Sequence, residues 1–140
     1  MKFVLAPALL MALTAASAPP ISVIAATGDW SHLPQIRDNG SDHVSKNLMM
    51  ALNNIAVKHE CQLPGFQGTR FNFNMSFAAL FDAEGNPLQL VIPKLNCPAA
   101  EALIGGTLKE ALAGGDYRPT AKTTAWYQGV ISFDIDEASH

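Results

Sequence analysis

The apolar residues of this chain change their spacing near residue 69, and that change restricts the fold more than any other feature. From residue 71 to residue 77 every second residue is large and apolar, and the residues between them are polar. This period of two predicts a strand from about 69 to 81 with one buried face. A turn at residues 82–86 follows, in which Gly85 can take positive φ. Because Leu88–Ile92 alternates again, the sequence predicts that a second strand folds back on the first as a hairpin.

Two helices are predicted, one on each side of this hairpin. Apolar residues recur every three or four positions from Val44 to Ile55, which predicts an amphipathic helix from about 42 to 59. A second helix is predicted from Pro98 to about residue 113, because proline suits the first helical position and Gly114-Gly115 favours a helix end. The Gly105-Gly106 pair inside this helix costs about 1 kcal/mol per glycine relative to alanine. Such a cost indicates close backbone packing on the sheet there.

A third strand, predicted from about Thr123 to Asp136, completes the set of elements. The order helix, strand, strand, helix, strand predicts an α+β fold. In detail, we expect a small three-stranded antiparallel sheet with two helices on one face and one disulfide.

The chain has 140 residues and a net charge of -3, so it offers no basic field for nucleic acid, and this class of partner is excluded.

The first 26 residues are typical of a signal peptide. Lys2 precedes an uncharged run that is too short to cross a bilayer, and small residues then cluster at 15–18. Two cleavage sites stay open: after Ala18, where the following proline obstructs a peptidase, and after Ala25, which is preferred. We therefore expect a periplasmic or secreted protein without a permanent membrane anchor. Its parts are a signal peptide (1–26), an N-terminal arm (27–40) and one domain (41–140).

The chain has two cysteines, Cys61 and Cys97. An exported chain meets an oxidising compartment, so an even number of cysteines predicts a disulfide. The two residues also flank the predicted hairpin, whose entry and exit are neighbours, so the geometry favours the same bond. The alternative is a free, nucleophilic thiol at Cys97, since a helix N-terminus lowers the pKa of a thiol.

A long alternating strand, the turn at 81–86, a second strand and a helix that ends in Tyr117-Arg118-Pro119 follow one another in residues 68–135. This pattern resembles the C-terminal domain of the TonB family of periplasmic energy transducers. In that family an exposed sheet edge pairs with a short segment of an outer-membrane receptor, so the resemblance implies binding by strand addition. Energy transduction is not implied, because this chain keeps only the candidate docking domain and lacks the family's long proline-rich spacer.

The resemblance places the candidate partner-binding edge on the third strand, at Trp126, Gln128, Val130 and Ser132. The expected function is that of an exported, non-catalytic binding module for a peptide or a segment of an envelope protein; the oligomeric state stays open. No catalytic, cofactor or metal residues are predicted, because the chain has no His-x-x-x-His, no Gly-x-Ser-x-Gly and no glycine-rich phosphate loop. Two alternatives remain: a small envelope hydrolase or thiol enzyme, and a structural envelope protein without a discrete ligand.

Overall fold

The predicted order of helices and longer strands is present, and four shorter strands accompany it. The computed structural model describes residues 20–39, 46–58, 60–63, 66–67 and 70–136. Residues 1–19 of the predicted signal peptide lie outside this part, and so do residues 42–45 and 59 of the first predicted helix. The elements are β1 (Ser22–Ala26), β2 (Arg37–Asp38), α1 (Lys46–Val57), β3 (Phe66–Gln67), β4 (Arg70–Phe81), β5 (Pro87–Pro93), α2 (Pro98–Ala113), β6 (Tyr117–Arg118) and β7 (Ala125–Asp136).

The main sheet is mixed, with β4 near its centre. β4 and β5 form the predicted antiparallel hairpin, and β7 pairs antiparallel along the whole of β4. β1 pairs in parallel with β5, so that Ile24 lies opposite Val91. The order across this sheet is β1-β5-β4-β7, and the two-residue strand β3 adds to one end of β4. β2 and β6 form a separate two-stranded antiparallel sheet.

The prediction of a three-stranded antiparallel sheet is therefore wrong, although the α+β class and the two helices are confirmed. The largest omission is β1, which lies within the predicted signal peptide. Its sequence, SVIAA, combines small and apolar residues that suit the end of a signal peptide as well as a short strand. Its partner β5 lies far along the chain, and a parallel pair of this kind needs no local turn signal. The strands β2, β3 and β6 have two residues each, too few to show a period of two.

The core lies between the two helices and one face of the main sheet. On β4 the alternation is as predicted: every odd residue from Phe73 to Phe81 is buried. The core contains two edge-to-face ring contacts, with centroids 5.2 Å apart for Phe77 and Tyr117 and 5.8 Å apart for Phe81 and Tyr127. The helices contribute Leu48, Leu52, Ile55, Ala56, Ala100, Ile104, Leu108, Ala111 and Leu112.

Cys61 and Cys97 form the predicted disulfide. Their Cα atoms lie 5.7 Å apart, and Cys97 is fully buried immediately before α2. The bond joins the segment after α1 to the N-terminus of α2, and the closed loop contains the β4–β5 hairpin. The prediction of a structural disulfide is confirmed.

The ends of α2 and the hairpin turn form at the predicted residues. Pro98 takes the first helical position, and the helix ends before Gly115, which has a left-handed φ of 81°. The N–H of Gly115 donates to the carbonyl of Leu112 and the N–H of Asp116 to that of Ala111, the two bonds of a Schellman motif. In the hairpin turn Gly85 has a φ of 87°, the positive value that the sequence allows for it.

Candidate functional site

The four residues of the candidate binding edge lie on β7, an outer strand of the main sheet. They share the face that does not carry the core, because alternate residues of a strand point to the same side. Their exposure differs along the strand: Trp126 is half-buried and Gln128 is buried, whereas Val130 and Ser132 are exposed. The structure therefore divides the candidate edge into a covered half and an open half.

The N-terminal arm covers the edge at Gln128. The backbone N–H of Gln128 donates to the carbonyl of Pro34 at 2.9 Å, and its carbonyl accepts from the N–H of Ile36 at 2.8 Å. Its side-chain Nε2 donates to the carbonyls of Ser31 at 3.0 Å and Leu33 at 2.7 Å. These bonds satisfy both backbone groups and the side-chain NH₂ of a buried residue. They leave no place for a partner strand at this position.

Among the residues that the structure describes, the edge of β7 is open at Val130 and Ser132. Because Gln128 turns both of its backbone groups away from β4, the residues two and four positions further along β7 do the same. Within the described part of the chain, no hydrogen bond reaches the outward-facing N–H and C=O groups of Val130 or Ser132. Val130 itself is 48% exposed. An unpaired edge of this kind is a template for another strand.

An ion pair marks the far end of this open edge. Nη2 of Arg70 on β4 donates to Oδ2 of Asp134 at 2.9 Å, and Nε donates to Oδ1 at 3.4 Å. The hydrogen bond from Arg70 is the main reason that the pKa of Asp134 lies below its usual value. Both side chains are well exposed, at 60% and 45%, so the pair contributes little to stability.

The Arg70→Gln variant is expected to raise the pKa of Asp134 toward that of an ordinary carboxyl, because the charged donor is lost. The folded-state pKa of Asp134 lies below its unfolded value. Its small contribution to stability is therefore present above the unfolded pKa and is lost as the pH falls through the folded pKa. An NMR titration that follows the carboxyl carbon of Asp134 measures this pKa in the unmodified protein and in the variant. Asp82 serves as the internal control, since its lowered pKa has a different main cause, the backbone N–H of Asn86. An unchanged midpoint for Asp134 would contradict the assignment.

A metal site or a thiol nucleophile has less support among the described residues than binding by strand pairing. In that part of the chain, no three side chains of the His, Cys, Asp or Glu type lie close enough to hold a metal ion. Cys97 is bonded to Cys61, so the free thiol that a thiol enzyme would use is not there. Burial raises the pKa of Tyr117, which keeps its hydroxyl protonated.

Two further observations concern where the chain works. A disulfide is compatible with a location outside the cytoplasm, where oxidising conditions preserve it. Over the residues whose structure is described, no helix combines the length and apolar character needed to cross a membrane.

Sequence reasoning missed the two features that define the open edge. The first is the arm at Pro34 and Ile36, which covers Gln128 from a position far away in the chain. The second is the Arg70–Asp134 ion pair, which depends on the register of β4 and β7. Neither feature has a local signal in the sequence, because each requires two distant segments to meet.

Comparisons with protein-family models, with curated proteins and with solved structures find no match for this chain. The resemblance of residues 68–135 to the TonB C-terminal domain stays a prediction. The geometry of β7 is therefore the main guide to function.

Proposed function

We propose that this protein is an exported, non-catalytic binding module that takes up an extended segment of an envelope protein or peptide at the open edge of β7. One observation carries the proposal: the outward-facing backbone groups of Val130 and Ser132 have no partner among the described residues. A strand that adds there gains main-chain hydrogen bonds that depend little on its own sequence. The resemblance to the TonB C-terminal domain implies the same mode of binding.

The side chains along the open edge indicate what kind of segment fits. Val130 and Ser132 are exposed on the same face, and a partner residue opposite Val130 would share that face. An apolar or β-branched residue at this position would cover Val130 and form a favourable cross-strand pair. The arm closes one end of the edge at Gln128, and the Arg70–Asp134 ion pair marks the other. The expected occupant is thus a short extended segment with an apolar residue near its middle.

Two observations support the proposal that the protein is exported. The disulfide between Cys61 and Cys97 suits an oxidising compartment such as the periplasm or the extracellular medium. The first residues have the composition of a signal peptide, with Lys2 before an uncharged apolar run and a cluster of small residues.

The Val130→Pro variant is expected to lose binding of the envelope segment, because proline has no N–H to donate to an added strand. The fold should persist, since proline is tolerated on an edge strand where the N–H faces solvent. Val130→Thr is the matched control, because threonine keeps the N–H and the branched side chain. Each variant is used to capture partners from an envelope extract, and thermal unfolding checks that both are folded.

Hydrogen exchange on the captured complex locates the contact. The amides of Val130 and Ser132 should exchange more slowly in the complex than in the free protein, whereas the amide of Gln128 is already bonded to Pro34 and should change little. Equal capture by the proline and threonine variants would rule out strand addition at Val130. Failure of the unmodified protein to capture any segment would favour a structural envelope protein instead.

A further inference from the structure

β1 is joined to the domain along its whole length. It pairs with β5 from Ser22 opposite Gln89 to Ala26 opposite Pro93. At its end the N–H of Lys94 donates to the carbonyl of Ala26 at 3.2 Å. Immediately before the strand, Ile21 is only 8% exposed and belongs to the hydrophobic core. The folded domain therefore includes the chain from Ile21 onward.

Helix α2 packs closely against β1 at a glycine. A Cβ atom at Gly105 would lie 2.9 Å from Cγ1 of Val23 and 3.8 Å from Cδ1 of Ile92. Glycine is unfavourable inside a helix, and here its use is explained by the close approach of Val23. The neighbouring Gly106 has no atom within 4 Å of the corresponding position. Close packing is thus confirmed at one glycine of the predicted pair, and the residue that requires it belongs to β1.

From these contacts we infer that the leader is removed by cleavage within Ala15–Pro19 and that the mature protein keeps β1. The inference rests on the proposed export. The cleavage after Ala25 that the sequence favoured would remove Ile21 and most of β1 and would leave β5 as an unpaired edge. The small residues at 15–18 suit a leader peptidase. Such a peptidase adds one water molecule across a single peptide bond, so the leader ends in a carboxylate and the mature chain begins with a free amino group.

The intact mass of the protein exported from cells that express the full chain tests this inference. We expect the mass of residues 17–140 with one disulfide, because Pro19 obstructs a peptidase at the bond after Ala18. The mass of residues 19–140 would support the same inference, since that chain also keeps β1. The mass of residues 26–140 would overturn the inference and would still agree with export. The mass of the uncleaved chain, found only in the cytoplasm, would contradict the export on which the inference rests.

A pair of alanine variants tests the same inference through stability. In the exported protein, Gly106→Ala is expected to raise the melting temperature by about 4 °C, because alanine favours the helix and has room. Gly105→Ala is expected to lower it, because Val23 is branched and must move. Adding Val23→Ala to Gly105→Ala should recover much of the loss. An equal rise for both single variants would show that Val23 does not pack on α2 in the mature protein and would overturn the inference.

Discussion

Replacing both Cys61 and Cys97 by alanine is expected to lower the free energy of unfolding by about 4 kcal/mol. The bond joins residues that are 36 positions apart. In the chain-entropy model, a cross-link over that length removes many conformations from the unfolded chain and so stabilises the folded state. Urea unfolding of the oxidised protein and of the double variant measures the difference, and the midpoint for the variant should be much lower.

The reduced form of the unmodified protein is the control for this comparison. It carries the same side chains without the bond, so its stability should lie close to that of the double alanine variant. Cys97 is fully buried, and a remaining difference between the two would report the packing of its sulfur atom. Equal urea midpoints for the oxidised and reduced protein would contradict a stabilising role for the disulfide.

The Gly129→Ala variant is expected to lower the free energy of unfolding by about 2 kcal/mol, the effect of overpacking a core. Gly129 lies on β7 directly opposite Phe77 on β4, on the core side of the sheet. A Cβ atom there would overlap Cζ of Phe77 and lie 2.8 Å from its Cε1. The ring of Phe77 is fully buried and packs edge-to-face against Tyr117, so it has no free space into which to move.

Two comparisons isolate the contact between Gly129 and Phe77. Ser132→Ala, at an exposed position of the same strand, is expected to change the free energy of unfolding by less than about 0.5 kcal/mol. In a Phe77→Leu background, Gly129→Ala should cost less than in the unmodified protein, because the smaller side chain leaves room. Strictly additive costs would show that Phe77 is not the group that requires glycine at position 129.

These variants separate two roles of β7 that alternate along its sequence. The residues that face the core, such as Tyr127 and Ile131, are buried and support the sheet. The residues between them lie on the other face, and their backbone groups point outward. A change at Gly129 is therefore expected to affect stability, whereas a change at Val130 is expected to affect binding. The same strand can be tested for both roles with independent measurements.

The elements that could be predicted from the sequence are those with a local signal. β4, β5 and β7 are long enough to show alternation, and α1 and α2 show the spacing of an amphipathic helix. The disulfide could be predicted because the two cysteines flank a hairpin whose ends are neighbours. The turn at Gly85 could be predicted because glycine readily takes positive φ, and the end of α2 because glycine is common where helices end.

For the candidate binding edge, the sequence predicted only which residues share one face of the strand. Alternation placed Trp126, Gln128, Val130 and Ser132 on one side of the third strand, and the structure has them there. It could not indicate that the arm would bond to both backbone groups of Gln128. Nor could it distinguish a buried glutamine from an exposed valine two residues away, since both continue the same period of two.

By itself, the sequence determined the α+β class, the two helices, the central hairpin and the disulfide. The tertiary structure alone decided that β1 completes the sheet as a parallel strand and that, among the described residues, the arm covers β7 at Gln128 and leaves Val130 and Ser132 uncovered. The physical reason is the range of the interactions. Side-chain periodicity and turn conformation depend on residues that are close in the chain. The pairing of β1 with β5, and of the arm with β7, depends on which distant backbones come together when the core forms.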